Sequence, residues 1–204
     1  MKLVLASNNA KKLAELQALF APLGIELVTQ GSLGIAEAEE PFDSFVENAL
    51  TKARHAARLS GLPALADDSG LAVEALNGAP GVLSARYATL FGQPKSDADN
   101  NRVLLEQLAP FTAPEQRGAR FVCSLVAVRS ASDPEPLIAI GRWQGQILPA
   151  QQGEAGFGYD PLMFIPALGR SVAQLTAAEK NSQSHRALAA ADLVGQMREV
   201  WHLG

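Results

Sequence analysis

Two adjacent carboxylates, Asp67 and Asp68, followed by Ser69 and Gly70, stand directly after the apolar run Pro63-Ala64-Leu65-Ala66. Carboxylates at the end of a buried strand can hold a divalent cation, because Mg²⁺ takes hard oxygen ligands and keeps several of its waters. Ser69 and Gly70 add hydroxyl and backbone donors suited to an anion. The same four residues are ordinary turn formers, so a plain turn is the competing reading.

Three other segments carry groups of the right chemistry. Ser7-Asn8-Asn9-Ala10-Lys11-Lys12 sits where a first strand should give way to a helix. A helix N-terminus with amide side chains and two lysines can cradle a phosphate, although the glycines and the Gly-Lys-Ser/Thr ending of a P-loop are missing. A capped helix with exposed lysines reads equally well. In Gly153-Glu154-Ala155-Gly156-Phe157-Gly158-Tyr159-Asp160-Pro161, two aromatics and an acid lie among glycines that permit close backbone approach. An aromatic face there could stack on a heterocycle, or the rings could simply be tucked into the core. Ser184-His185-Arg186 places a guanidinium at the positive end of a helix, which makes sense if an anion sits there too, or is simply a polar cap followed by a surface arginine. Lys180 lies just upstream. With only His55, His185 and His202 available and no G-x-S-x-G elbow, a hydrolytic Ser-His-Asp triad is disfavoured.

These groups must be held by an α/β framework. Lys2 to Ala6 reads as a strand, and Leu13, Leu16, Leu19 and Phe20 recur at helical spacing until Pro22 or Gly24. Ile25 to Val28 is the next strand. Residues 31–41 read as a loop bearing Glu37, Glu39 and Glu40. A helix over about 42–59 buries Phe45, Ala49, Ala53 and Ala56 or Ala57 and aligns Asn48 with Lys52, on a face that is either solvated or turned to an anion; His55 and Arg58 read as surface groups. A helix is expected over 97–108, strands over 117–129 and 137–148 that could form a long hairpin outside the main sheet, and helical pieces over 172–180 and 185–201. The fold class is α/β, with a sheet of mixed parallel and antiparallel strands and flanking helices.

Composition narrows the function. A 204-residue chain with 48% hydrophobic and 19% charged residues is that of an ordinary globular protein. A net charge of −4 argues against binding a nucleic-acid polymer, yet local Lys and Arg clusters suffice for a small anion. The single cysteine, Cys123, lies in a strand-like run and reads as a small core residue. There is no signal-like N-terminal run and no apolar stretch long enough to cross a membrane, so a soluble cytoplasmic protein is expected.

Taken in order, LASNNAKKLAEL, FVENALTKARHAA, ALADDSGLAVEALNGAPGVLSARYA, GFGYDPL and SHRALA resemble the inosine triphosphate pyrophosphatase family, in its bacterial dITP/XTP branch. The resemblance covers the whole chain, 1–204, as one domain with a hairpin-containing lobe about 117–150. It implies an elongated mixed α/β fold, two lobes around a central substrate cleft, a homodimer and a requirement for Mg²⁺. The activity implied is hydrolysis of non-canonical purine nucleoside triphosphates (ITP, dITP, XTP) to the monophosphate and pyrophosphate. By resemblance Asp68 is the general base and a metal ligand, and Ser69 touches substrate. Ser7, Asn8, Asn9, Ala10, Lys11, Lys12, Lys52 and Arg186 hold phosphates, while Phe157, Gly158, Tyr159, Asp160, Lys180 and His185 frame the base. A second metal contact comes from Glu39, favoured, or Glu40, a near equal. Asn8 stands where many members have glycine. The ADDSG segment is expected to be a tight turn that delivers Asp68, with Asp67 in support. A pyrimidine-directed pyrophosphatase and a non-catalytic nucleotide sensor are the rival readings.

Overall fold

The computed structural model describes residues 1–203. Seven strands, β1 (Lys2–Leu5), β2 (Glu26–Thr29), β3 (Ala64–Val73), β4 (Gly118–Val128), β5 (Leu137–Ile147), β6 (Met163–Ile165) and β7 (Arg170–Ser171), form one sheet in the order β2-β1-β3-β4-β5-β6-β7. β1 pairs parallel with β2 and β3, whereas β5-β6 and β6-β7 are antiparallel. The sheet is therefore mixed, as expected. The strands expected over 117–129 and 137–148 are neighbours inside this sheet rather than a hairpin beyond it. Five α-helices accompany it: α1 (Ala10–Phe20), α2 (Phe45–Ser60), α3 (Asp97–Gln107), α4 (Ala177–Gln183) and α5 (His185–Val200). None is long and apolar enough to cross a membrane among the described residues.

The chain divides into two compact units. The first holds Met1–Asp68, Cys123–Gly141 and Ser184 onward. Strand alternation decides its two cores, because successive side chains of a strand point to opposite faces. Leu3, Leu5 and Leu65 pack with Leu16 and Phe20 of α1 and with Ala189, Leu193 and Met197 of α5. Val4, Ala6, Ala64 and Ala66 pack with Ala49, Ala53, Ala56 and Ala57 of α2. The hydrophobic residues of α2 fully buried on that face are all alanines, which lets α2 lie close to the sheet. The second unit, Ser69–Val122 and Arg142–Gln183, has its own core of Leu71, Val73, Leu104, Leu108, Phe121, Trp143, Tyr159 and Leu162.

The largest departure from expectation is at ADDSG. It is no turn: β3 runs without a break from Ala64 to Val73. Asp and Gly are poor strand formers, but β3, paired with β1 at Ala64 and Leu65, runs on beside β4, so its conformation is set by its place in the sheet rather than by local preference. Gly70 has a packing role instead, since a Cβ there would come within 2.4 Å of Ser84 Oγ and 2.5 Å of the Gly81 carbonyl.

Candidate active site

An unbroken strand sends neighbouring side chains to opposite faces, and that fact organises the first unit's site. Asp67 follows Leu65 onto the α1/α5 face, and Asp68 follows Ala64 and Ala66 onto the α2 face. Asp67 is 1% exposed. Its Oδ1 accepts from Lys12 Nζ at 2.5 Å and its Oδ2 from Arg186 Nε at 2.7 Å, with the Cys123 thiol 3.3 Å away. Arg186, equally buried, also donates to Glu15 of α1. Burial alone would push the Asp67 carboxyl up; Arg186 and Lys12 outweigh it and hold the group well below the usual carboxylate range. Burial, seconded by the Asp67 charge, pushes the Cys123 thiol well up, so it stays neutral.

On the α2 face, Lys52 Nζ is the hub. It donates to Glu40 Oε1 at 2.6 Å, to Asp68 Oδ1 at 2.9 Å and to the Asp67 carbonyl at 3.0 Å. Burial would strip its proton, but Asp68 and Glu40 outweigh burial and raise its pKa. Asp68 differs from its neighbour. Desolvation dominates over the attraction of Lys52, so its pKa is raised above 3.8. Its Oδ2 is buried and has no hydrogen-bond partner. A carboxylate oxygen left bare beside a second acid is suited to a cation or to a proton in transit.

In the acidic loop it is Glu40 that reaches Lys52 beside Asp68. Glu39 is exposed and lines a surface cavity with Phe42, Arg54 and His55. α2 fixes this loop by successive turns of one helix. Buried Asn48 accepts from Phe42 N–H at 3.0 Å and donates to Phe42 C=O at 2.9 Å, Lys52 takes Glu40, and His55 Nε2 meets the Ala36 carbonyl at 3.0 Å. His55 is thus a tether as well as a surface group.

Asn9 caps α1 and its Oδ1 accepts from the N–H groups of Lys11 and Lys12, while Ser7 Oγ accepts from Asn9 N–H. Those amides are consumed by the cap, so the expected backbone cradle is narrower than its residue types suggest. Asn8 turns away: its Oδ1 accepts from Gly31 N–H at 2.9 Å and its Nδ2 reaches Glu37 at 3.3 Å. Arg186 was expected to need an anion at the start of α5. The anions are the protein's own Asp67 and Glu15. His185, the first residue of α5, is buried beneath β5, where a Cβ on Gly141 would come 1.9 Å from the His185 carbonyl.

In the second unit the glycine-rich loop is built around Asp160. Its Oδ2 accepts from Phe157 N–H at 3.0 Å and from Lys180 Nζ at 2.8 Å, and Lys180 Nζ lies 4.6 Å from the centroid of the Phe157 ring. Gly156 has φ +81°, and a Cβ there would come 2.1 Å from Asp160 Oδ2, so only glycine closes this turn. The two aromatics separate cleanly. Tyr159 is buried in the core with its hydroxyl donating to the Ser84 carbonyl at 2.9 Å, whereas Phe157 remains half-buried with a ring able to stack.

The whole arrangement follows a pattern met elsewhere. A model of the Ham1 family matches residues 3–196. The chain belongs to the Ham1 family. Among relatives in this family, a dITP/XTP pyrophosphatase of Leptothrix cholodnii is 62% identical with both chains fully covered, and one of Methylibium petroleiphilum is 64% identical over 98% of this chain and 99% of its own. A solved HAM1 protein from Coxiella burnetii superposes with a TM-score of 0.88 at 44% identity, covering 98% of this chain and all of its own. A nucleoside-triphosphatase, dITP/XTP pyrophosphatase, from Mycobacterium abscessus gives 0.72 at 41% identity with both chains fully covered. The family model and the relatives span both the Asp67-Asp68 centre and the Phe157 loop.

Glu15, the role of Cys123 beside Asp67, and the α3 residues Asp97 and Asn101 that meet Gly158 were not singled out in the sequence. Glu15 had a signal, its spacing of three from Lys12 on one helix. Cys123 had none beyond its strand.

Proposed function

We propose that this Ham1-family protein hydrolyses ITP, dITP and XTP to the monophosphate and pyrophosphate, removing non-canonical purines from the nucleotide pool. The observation that carries the reading is Asp68: a buried carboxylate with raised pKa and an unpartnered Oδ2, held beside Lys52 and Glu40. The full-length relatives named dITP/XTP pyrophosphatases support the choice of substrate.

Asp68 orients a water and takes its proton through Oδ2 as the water attacks the α-phosphorus. Lys52 holds Asp68 by its other oxygen, so the basic lone pairs point one way, and offers its charge to the phosphates. Lys12, with Ser7 and Lys11, meets the β and γ phosphates, aligning pyrophosphate as the leaving group. Arg186 acts through Asp67, which it and Lys12 share. Asp68 and Glu40 together would hold Mg²⁺, which accepts a small protein donor set because it keeps several waters. Bound there, the cation would acidify the attacking water and offset phosphate charge.

Phe157 stacks on the purine, and Lys180 beside it donates toward its 6-oxo group. Adenine presents an amino group at that position, so donor would face donor, a buried mismatch of about 1–3 kcal/mol. Tyr159 and Asp160 support the loop from the positions described. The homodimer and the cytoplasmic setting are carried by the family resemblance. Incubation with Mg²⁺ and a panel of ITP, dITP, XTP, GTP, ATP and dUTP tests the proposal. Pyrophosphate from the first three with little from ATP or GTP is expected; orthophosphate as first product, or preference for dUTP, overturns it.

A further inference from the structure

In the second unit, α3 grips the glycine-rich loop at one residue. Asp97 Oδ2 accepts the Gly158 N–H at 2.7 Å, and Asn101 Nδ2 donates to the Gly158 carbonyl at 2.9 Å. The two side chains are four apart on one helix and so share a face. Gly158, at φ +59°, is the residue between Phe157 and Tyr159. Both of its polar groups are thereby fixed in direction.

Asn101 is 3% exposed, and its Oδ1 is buried with no hydrogen-bond partner. Reversing the amide would set that oxygen against the Gly158 carbonyl, acceptor against acceptor. The side chain therefore keeps its bond to the loop at the expense of an unsatisfied oxygen. The helix that presents the pair is itself anchored. Ser96 Oγ caps it by accepting from Asp99 N–H at 3.0 Å, and buried Asn100 accepts from Ala88 N–H at 2.8 Å. Ala88 belongs to the helical segment Gly81–Phe91, whose Ser84 carbonyl takes the Tyr159 hydroxyl. One support thus ties down both residues that follow Phe157.

We propose that Asp97 and Asn101 are positioning residues that set the Phe157 ring against the purine and so tune base selectivity. The inference rests on the proposed function and deepens it. Its test compares Asn101→Ala, Asp97→Ala and Asp97→Asn with wild type, by steady-state pyrophosphate release from ITP and GTP and by amide hydrogen exchange at Gly158. Loss of one oriented hydrogen bond raises KM for ITP by about tenfold in Asn101→Ala and lowers the ITP-over-GTP ratio of kcat/KM by about fivefold, with kcat within about twofold. Asp97→Ala gives a smaller change in the same direction and accelerates Gly158 exchange by about tenfold. Asp97→Asn keeps an acceptor and restores wild-type behaviour. A lowered melting temperature with KM and selectivity unchanged, or equal losses on both nucleotides, overturns the inference. If wild type itself releases no pyrophosphate, the proposed function falls, and the clamp is judged by exchange alone: unchanged Gly158 exchange in Asp97→Ala then overturns it.

Discussion

The carboxylate centre of the first unit and the glycine-rich loop of the second are held by opposite means. Around Asp67 and Asp68 the fixing forces are charges: Lys12, Arg186 and Glu15 on one face, Lys52 and Glu40 on the other. Around Phe157 and Gly158 a backbone without side-chain freedom is pinned by Asp160, Asp97 and Asn101. Removing one member of a buried charge set strands its partners, whereas removing one hydrogen bond from a loop only lets it drift. The first region should therefore fail in chemistry or in folding, and the second in recognition.

Asp68→Asn should have the largest effect. Loss of the general base lowers turnover about 10²–10⁴-fold while nucleotide binding survives, since Lys52 keeps Glu40. Pyrophosphate release and calorimetric binding check this together; near-normal turnover removes Asp68 from the role. Next, Asp67→Ala leaves Arg186 and Lys12 without their shared carboxylate and should cost about 3–5 kcal/mol of stability. Denaturant unfolding measures it, and a loss below about 1 kcal/mol contradicts a charge-held region.

The two aspartates should also answer pH with opposite sign. Asp67 has its folded pKa held below the ordinary 3.8, so its stabilisation is present above that value and lost as pH falls through the folded one. Asp68 has its folded pKa raised, so its contribution is full below 3.8 and lost as pH rises through the folded value. Acid unfolding curves of the two Asn variants should therefore diverge, with Asp67→Asn flattening the acid limb and Asp68→Asn holding or raising stability near neutrality. Parallel curves break the distinction. The smallest effect belongs to the loop: Phe157→Ala should weaken every purine nucleotide by about 1–3 kcal/mol, ITP more than GTP, and leave the melting temperature nearly unchanged. Unchanged affinity removes the stacking role.

Much of this was legible in the residues. The order of strands and helices, the capped start at Asn9, the packed alanines of α2 and the chemistry of Asp160 and Lys180 all follow from periodicity, capping and residue type. The central geometry was not. Asp-Asp-Ser-Gly is turn chemistry by local preference, and only its place within the sheet makes it a strand, which is what sends Asp67 and Asp68 apart. An irregular loop has no period, so nothing in the chain distinguishes Glu39 from Glu40; Asn48 and His55 tether the loop so that Glu40 is the one beside Lys52. The helix dipole at Arg186 points to a bound anion, but the partners the structure supplies are the protein's own carboxylates, 119 and 171 residues away in sequence.

The claim on which all else rests is that Asp68 directs water to the α-phosphorus. A single turnover of ITP in ¹⁸O-labelled water, with products resolved by mass spectrometry, tests it directly. The account predicts one heavy oxygen in the monophosphate and none in pyrophosphate; label in the pyrophosphate would contradict it.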